Sequence, residues 1–428
     1  MTMQRRDFLR AAGAAAGAAV LPGCATMGGG SAGKVVVVGG GYAGATCAKY
    51  LRMWSNGAVD VTLIEPREAF VSCPISNLVI GGSKTIADVT VPYDNLSRRW
   101  GVNVVRDTAT GIDVDKRVVT TAGGRNLPYD RLVLAPGIEF MWDAIASYKA
   151  DPVRATGIVP HAWQAGEQTV LLRRQLESMP DGGVYALSIP VAPYRCPPGP
   201  YERACQVAWY FKRAKPKSKV LVLDGNPDVT SKAGLFKKAW NDLYKGIVEY
   251  RPNHVLTDVD LATKTAKFET ADDVRASVLN VIPPHRAGGI ARTAGVITAN
   301  NRWCEVDFLS YESIRGKGVH VLGDSIQIAP GMPKSGHMAN NQAKVAAAAI
   351  LRQLGGQSPI ATPMLTNTCY SFITDKDVVH VASVHQYDAA KKTMLAVPGS
   401  GGLSPAMNEL EGRFALSWAQ NIWADTLG

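Results

Sequence analysis

Short runs of apolar residues, each bounded by glycine or polar positions, recur along the chain at a length typical of buried strands. The first run, Lys34–Val38, precedes a glycine-rich turn, and a stretch with helical spacing follows as far as Leu51. Val59–Ile64 is a second run of the same kind. A strand, a tight turn, a helix and a further strand in this order predict a parallel βαβ unit.

A second unit of this type is predicted further along. Gly183–Ile189 and Lys219–Asp224 have the composition of strands, and Tyr201–Lys212 that of the helix between them. Near the C-terminal third, Gly318–Asp324 is a strand ending in Gly-Asp, before a helical stretch from about residue 335 to 354. These patterns predict an α/β fold of the disulfide-reductase type, with two dinucleotide-binding domains and a C-terminal α+β interface domain.

The turn after the first strand has the glycine spacing of a dinucleotide site. Gly39-x-Gly41-x-x-Gly44 lies between strand and helix, and Glu65 ends the second strand. The first glycine allows the tight turn, the second lets the backbone approach a pyrophosphate, and the helix N-terminus favours that anion. Glu65 is predicted to bind the ribose hydroxyls.

Two later segments favour FAD over NAD as the ligand of this site. Leu132–Gly137 is typical of the strand and turn that return to the FAD domain in flavoproteins with two dinucleotide folds, and Gly137 closes that turn. Asp324 is predicted to hold the ribityl chain, a plain turn residue being the alternative. The helix that follows is expected to direct its N-terminus at the flavin.

The corresponding turn of the second unit contains prolines where glycines are expected. Residues 190–200 include five prolines, which lack the N–H groups that bind phosphate. We therefore predict a nicotinamide-type domain that has lost its ligand. Cys196 lies beside Arg195 and just before the helix, two features that favour the thiolate. We interpret Cys196 as a redox centre, with a buried inert thiol as the alternative.

Composition and charge restrict the function further. The chain has 428 residues, 46% hydrophobic and 19% charged, with a net charge of +10, as expected of a multi-domain globular protein. No basic motif interleaved with aromatic residues indicates nucleic-acid binding. The seven cysteines include no C-x-x-C and no C-x-x-C-H. We therefore expect no metal site and no haem attachment on this chain.

The N-terminus has the features of an export signal. Arg5-Arg6 precede the short apolar stretch Ala11–Pro22, which indicates a twin-arginine signal peptide and a folded, periplasmic protein. No later segment is long enough for a transmembrane helix. Leu21-Pro22-Gly23-Cys24 is similar to a lipoprotein cleavage box. A lipid anchor at Cys24 and simple cleavage ahead of Lys34 both remain open.

Several longer segments are more specific than these local patterns: Cys73–Gly82, Arg195–Arg203, Ile282–Gly288, Met332–His337 and Asn367–Ser371. These segments resemble one family, the flavoprotein subunit of flavocytochrome c sulfide dehydrogenase. The resemblance extends over essentially the whole chain, from the signal to the C-terminal Asn421–Gly428.

We expect the following domains: a signal peptide over residues 1–32, an FAD-binding domain over 33–150 and 286–355, a degenerate NAD-like domain carrying Cys196 over 151–285, and a flavocytochrome interface domain over 356–428.

The resemblance also implies roles for individual residues. Cys73 matches the cysteine that is thioether-linked to FAD in many members, and Cys196 and Cys369 match the redox-active pair beside the flavin. Lys334, with the helix after it, is expected to stabilise the reduced flavin. Glu167 is a candidate proton acceptor, a surface acid being the alternative. The remaining cysteines of the mature chain are expected to be structural: Cys47, Cys205 and Cys304.

The implied function is oxidation of sulfide to elemental sulfur or polysulfide through a redox disulfide and FAD. Electrons would pass to a c-type cytochrome subunit, which must carry the haem because this chain has no haem motif. Two alternatives remain: a sulfide:quinone oxidoreductase, and a flavin-loaded sulfur-carrier subunit without turnover.

Overall fold

We describe the fold from a computed structural model, which covers residues 32–428. The predicted signal peptide, apart from residue 32, and Cys24 lie outside the described residues.

The N-terminal part contains two sheets at its edges and most of the main sheet. Its strands are β1 Lys34–Val38, β2 Asp60–Ile64, β3 Ala69–Val71, β4 Thr90–Pro92, β5 Asn103–Val105, β6 Ala109–Asp113, β7 Val118–Thr121, β8 Asn126–Pro128, β9 Arg131–Leu134 and β10 Ile138–Phe140. Its helices are α1 Tyr42–Trp54, α2 Asn77–Gly81, α3 Asp94–Arg98 and α4 Ala146–Ala150.

The central part follows. Its strands are β11 Val184–Ile189, β12 Lys219–Asp224, β13 Val248–Arg251, β14 Leu256–Asp260, β15 Thr265–Phe268, β16 Val274–Arg275, β17 Val278–Val281 and β18 His285–Ala287. Its helices are α5 Pro152–Ile158, α6 Glu167–Ser178, α7 Gly199–Ala214 and α8 Ala233–Asp242.

The last third returns to the main sheet and then forms a separate antiparallel sheet. Its strands are β19 Val306–Asp307, β20 Glu312–Ser313, β21 Val319–Val321, β22 Met364–Phe372, β23 Val378–Asp388, β24 Thr393–Ala396 and β25 Gly402–Leu403. Its helices are α9 Ile290–Thr293, α10 Gly336–Leu354 and α11 Glu409–Leu427.

The main sheet has seven strands in the order β19-β20-β21-β9-β1-β2-β5. β1 pairs in parallel with β2 and β9, and β21 pairs in parallel with β9, so the predicted βαβ unit and the predicted return strand are both confirmed. Helices α1 and α10 pack against each other on this sheet. Alanines on α1 allow this close packing, since Ala45 and Ala48 are fully buried.

The second predicted unit forms its own four-stranded parallel sheet, in the order β13-β12-β11-β17. The predicted strands and the helix between them are therefore confirmed, with α7 beginning two residues earlier and ending two residues later than predicted. The domain boundaries proposed from the sequence stay predictions.

The C-terminal sheet pairs β22 with β23 in antiparallel register, and α11 packs against β23 and α1. Strand β22 also contacts α7 and α10, so this sheet lies against both nucleotide-type units. The carboxyl ends of strands from the two parallel sheets therefore face the same strand of the C-terminal sheet.

Candidate active site

A large cavity lies where the two parallel sheets meet the C-terminal sheet. It encloses about 1710 Å³ free of protein atoms, part of which is open to solvent. Its lining combines the glycine turn after β1 with residues of the proline-rich turn before α7 and of β22.

The predicted glycine turn lines the cavity, and the surroundings of its three glycines explain why these positions carry no side chain. Gly39 has a φ of +99°, and a Cβ there or at Gly44 would collide with backbone, of Ala135 and of Gly39 respectively. Gly41 faces open space in the cavity. The N-terminus of α1 has no side-chain cap, so its N–H groups remain able to bind an anion. These features fit the pyrophosphate of a bound FAD.

Two carboxylates lie at the positions expected for the sugar parts of that ligand. Glu65 lines the cavity and accepts hydrogen bonds from the Gly40 N–H (2.7 Å) and from Arg67. Asp324 follows β21, and its Oδ1 is buried without a hydrogen-bond partner. A buried orphan acceptor requires a donor, and the hydroxyls of a ribityl chain supply one. Gly137 also lines the cavity, with a φ of +67°.

Lys334 brings a buried ammonium to the cavity wall. Its Nζ donates to the carbonyl oxygens of Asp324 (2.9 Å) and Ile326 (2.6 Å), and lies 3.6 Å from the ring centroid of Trp303. Burial lowers the pKa of Lys334 to about 7. The next residue, Ser335, caps α10 by accepting the Met338 N–H. Lys334 and a helix N-terminus therefore meet at the cavity wall, and the expected role of Lys334 toward a reduced flavin stays a prediction.

Three cysteines far apart in sequence also line this cavity. Cys73 lies in the loop after β3, Cys196 in the proline-rich turn before α7, and Cys369 in β22. All three are free thiols in the structure. Arg195 Nη2 donates to the Cys73 sulfur at 3.2 Å and to the carbonyl oxygen of Trp163.

The prediction that the surroundings of Cys196 favour its thiolate is wrong for the chain without ligand. Burial raises the pKa of Cys196 well above its usual range, and Cys369 and Glu202 raise it further. Arg195 opposes this rise but does not overcome it. Removal from water outweighs one neighbouring cation because a thiolate loses its hydration on all sides.

Glu167, the predicted proton acceptor, does not lie at the cavity. Glu167 is exposed at the start of α6, away from the cavity that the cysteines line. The structure therefore corrects its candidate role as proton acceptor and favours the alternative, a surface acid. A carboxylate that lines the cavity together with Cys196 and Cys369 is Glu202, in the first turn of α7. It is buried and accepts hydrogen bonds from Asn77 Nδ2 (2.8 Å) and the Phe372 N–H (2.9 Å).

Burial raises the pKa of Glu202. A signal for this residue was present in the sequence, because Glu202 occupies the first turn of the helix that starts directly after Cys196. A helix start beside a redox cysteine brings the first-turn side chains close to that cysteine.

The three cysteines expected to be structural and the apolar residues of the C-terminal helix α11 lie in different surroundings. Cys47, Cys205 and Cys304 are fully buried, which agrees with a structural role. On α11, Leu410 and Phe414 are exposed, whereas Trp418 lines the cavity. Among residues 32–428, no helix is long and apolar enough to cross a membrane. In the same part of the chain, no group of three or more His, Cys, Asp or Glu residues is arranged to hold a metal ion.

Comparison with known proteins agrees with this architecture. Residues 33–146 match the family "Pyridine nucleotide-disulphide oxidoreductase". The sulfide:quinone oxidoreductase structure from Aquifex aeolicus is similar over 92% of this chain and 91% of its own, with a TM-score of 0.72 and 20% identity. The NAD-dependent persulfide reductase of A. fulgidus is similar over 92% and 77%, with a TM-score of 0.63 and 17% identity. The fold is that of the FAD-dependent disulfide oxidoreductases.

The sequence comparisons are more specific. Residues 169–283 match "Sulfide dehydrogenase [flavocytochrome c] flavoprotein chain, central", and 361–427 match "Flavocytochrome c sulphide dehydrogenase, flavin-binding". The flavoprotein chain from Chlorobaculum thiosulfatiphilum is 59% identical over 46 residues, which cover 94% of that sequence and 11% of this one. The chain belongs to the family of these flavin-binding flavoprotein chains.

A longer but weaker match is to the mitochondrial sulfide:quinone oxidoreductase of Dictyostelium discoideum. It is 25% identical over 301 residues, covering 68% of this chain and 65% of that protein. Residues 2–22 match a twin-arginine translocation signal, so the chain carries the signal for export to the periplasm by that route.

Proposed function

We propose that the chain is the FAD-carrying subunit of a sulfide dehydrogenase, which oxidises sulfide to elemental sulfur or polysulfide and passes the electrons to a c-type cytochrome subunit. One observation carries this proposal: Cys196 and Cys369, 173 positions apart, line the same cavity as the glycine turn and Asp324. A thiol pair in the cavity that the dinucleotide-type glycine turn lines is what a two-electron thiol–disulfide relay to a flavin needs.

The cofactor would be held mainly by backbone and by two carboxylates. Gly39, Gly41 and Gly44 would bind the pyrophosphate with the N-terminus of α1, and Glu65 the ribose. Asp324 would accept from the ribityl chain through its orphan Oδ1.

When bound, FAD supplies an acceptor for two electrons that can also release them singly. Gly137 would allow the ring close approach to the backbone, and Lys334 on the cavity wall would face it, where negative charge on the reduced ring would favour the protonated form of Lys334.

We further propose that Cys73 is bonded covalently to a ring methyl group of the flavin. The family resemblance of Cys73–Gly82 supports this, and so does the position of the Cys73 sulfur on the cavity wall. Forming the thioether removes one hydrogen from the thiol and one from the methyl group, a two-electron oxidation for which flavin is the acceptor.

The chemistry proposed for the cysteine pair is an exchange with hydrosulfide. The incoming sulfur forms a bond to one cysteine of the Cys196–Cys369 disulfide, the bond between them breaks, and the other cysteine leaves as a thiolate. Glu202 is the proposed acceptor for the proton of the bound sulfur, since it is buried at the cavity and carries a raised pKa. Glu167 is exposed and takes no part.

The haem must belong to a partner because the sequence has no C-x-x-C-H. The partner, a c-type cytochrome, would work with this chain in the periplasm. Cys24 is a candidate for lipid attachment, with cleavage ahead of Lys34 as the other outcome. The mass of the mature N-terminus, with or without a lipid, distinguishes the two.

The competing functions are separated by one assay on the purified holoprotein. With sulfide as donor, reduction of a soluble c-type cytochrome in preference to a quinone analogue supports the proposal. Preference for the quinone would favour a sulfide:quinone oxidoreductase, which the likeness to the Aquifex aeolicus enzyme keeps in consideration. An intact flavin that sulfide does not reduce would favour a sulfur carrier without turnover.

A further inference from the structure

Lys232 is a buried ammonium behind the cysteine pair that the proposed chemistry leaves without a role. It lies directly before α8 with a φ of 57° and is only 5% exposed. Its Nζ donates to the carbonyl oxygen of Cys369 (2.8 Å), to Ser371 Oγ (2.7 Å) and to the carbonyl oxygen of Val379 (3.4 Å). All three acceptors are neutral, so these contacts leave the charge without a hydrogen-bonded carboxylate.

A buried ammonium is expensive unless an anion compensates it. The groups that face Lys232 and favour its charge are, in order of strength, Cys369, Glu202, Cys196 and Glu411. They come from β22, from α7 and the turn before it, and from α11. Burial nevertheless lowers the pKa of Lys232 to about 8.

The same pairing is seen from the side of the cysteine. Burial raises the pKa of Cys369, and Lys232 is the strongest of the groups that oppose this rise. The others that oppose it are hydrogen bonds with Asn367 and Ser335, whereas Glu202 raises the pKa of Cys369 further. The cation thus has its largest electrostatic effect on one sulfur of the pair.

Lys232 belongs to the segment that follows the second strand of the central parallel sheet. The segment after the second strand of a nicotinamide domain normally contacts the adenosine ribose or its phosphate. Here that strand is β12, and its terminal Asp224 is bonded to Tyr201 and Asn226 instead. The segment after β12 carries Lys232, and the Lys232 Nζ reaches the carbonyl oxygen of Cys369 in β22.

We propose that Lys232 is a positioning residue that serves as the counterion of the anionic sulfur formed on Cys369 when the cysteine pair is opened. This inference rests on the proposed role of the pair. When hydrosulfide breaks the Cys196–Cys369 bond, the electron pair of that bond stays on one cysteine and the other becomes a persulfide. Cys369 carries negative charge in both cases: as the leaving thiolate, or as a persulfide anion once the proton of the incoming sulfur has passed to Glu202.

The test uses holoprotein reduced with dithiothreitol, desalted, and kept free of sulfide and oxygen. The rate of Cys369 alkylation by iodoacetamide is followed from pH 6.5 to 9.5 by peptide mass spectrometry. Lys232→Met should lower the rate at pH 8 by tenfold or more and move the midpoint of the profile to higher pH. Lys232→Arg, which keeps a cation, should restore at least part of the rate.

Lys49→Met is the matched control. Lys49 is also a buried ammonium, bonded to the carbonyl oxygens of Ala424 and Asp425 (2.9 Å each), and neither cysteine of the pair is among the groups that act on its charge. Its loss should leave the Cys369 profile unchanged. An unchanged profile in Lys232→Met, or an equal change in both variants, would overturn the inference.

A second measurement tests the inference with other variants, in case Lys232→Met folds poorly. In dithiothreitol redox buffers, Lys232→Arg should hold the equilibrium constant for reduction of the pair within about threefold of the native value, whereas Lys232→Gln should lower it tenfold or more, about 30 mV. Equal constants in the two variants would overturn the inference. Neither measurement uses sulfide, so a native protein that fails to oxidise sulfide but shows the Lys232 effect would contradict the proposed function alone.

Discussion

The Tyr201 hydroxyl donates a 2.7 Å hydrogen bond to the Asp224 carboxylate at the carboxyl end of β12. Asp224 is fully buried, and Tyr250 and Asn226 donate to it as well. In a nicotinamide domain, an acidic residue at the end of this strand binds the ribose. Here Asp224 instead accepts hydrogen bonds from three side chains of its own chain.

This relationship predicts that NADH and NADPH do not reduce the flavin. The proline-rich turn 190–200 lacks the glycine triad, and Asp224 is already bonded. Stopped-flow absorbance of the oxidised holoprotein should stay unchanged with either nucleotide, while dithionite reduces it as a positive control. Reduction by micromolar NADH within seconds would show that the second domain still binds its ligand.

Cys73→Ala should release the flavin. Native protein precipitated with acid should retain yellow, fluorescent flavin in the pellet, because the thioether survives denaturation. The variant should leave its flavin in the supernatant. Cys205→Ala is a suitable control, since Cys205 is buried away from the cavity and its loss should leave the flavin in the pellet. Free flavin from the native protein would refute covalent attachment.

Much of the fold could be predicted from the sequence because its signals are local. The valines of β1, the glycine turn and α1 are consecutive, and each has a distinct pattern. The cysteine pair was identified only through the family resemblance, because no local pattern indicates that Cys196 and Cys369 meet.

The electrostatics of the site could not be predicted in the same way. The raised pKa of Cys196 depends on burial by distant segments, and the contact of Lys232 with β22 depends on a hydrogen bond to a residue 137 positions away, Cys369. Glu167 is a candidate on sequence grounds because it lies in a segment similar to the family. The packing of distant segments instead brings Glu202 to the cavity.

Glu202→Gln should slow sulfide oxidation about 100-fold or more, as expected for loss of a general base. Because burial raises the pKa of Glu202, the native rate should increase as pH rises through that pKa, where the carboxylate forms. The variant should lack this acidic limb. Glu167→Gln is the matched control and should keep the native pH profile; if it loses the limb instead, the assignment is reversed.

Lys334→Met should change how the stability of the Cys73→Ala protein depends on pH once its non-covalent flavin has been removed. An unfolded lysine keeps its proton up to about pH 10.5, whereas burial lowers the pKa of Lys334 to about 7. The unfolded state therefore binds more protons between these values, and Lys334 makes the free energy of unfolding rise with pH, by at most about 4 kcal/mol. Urea titrations from pH 7 to 9.5 should show a shallower rise in Cys73→Ala/Lys334→Met; parallel curves would contradict the buried ammonium.

The central claim is that sulfide electrons enter through Cys196 and Cys369, and anaerobic sulfide titration of the flavin absorbance tests it most directly. One equivalent of sulfide should bleach the oxidised flavin of the native protein. Cys196→Ser and Cys369→Ser should each keep their flavin yet lose at least about 1,000-fold in the rate, to a similar extent, because both sulfurs act as one unit. A variant that bleaches at near the native rate would contradict the account and show that sulfide reacts with the flavin without the pair.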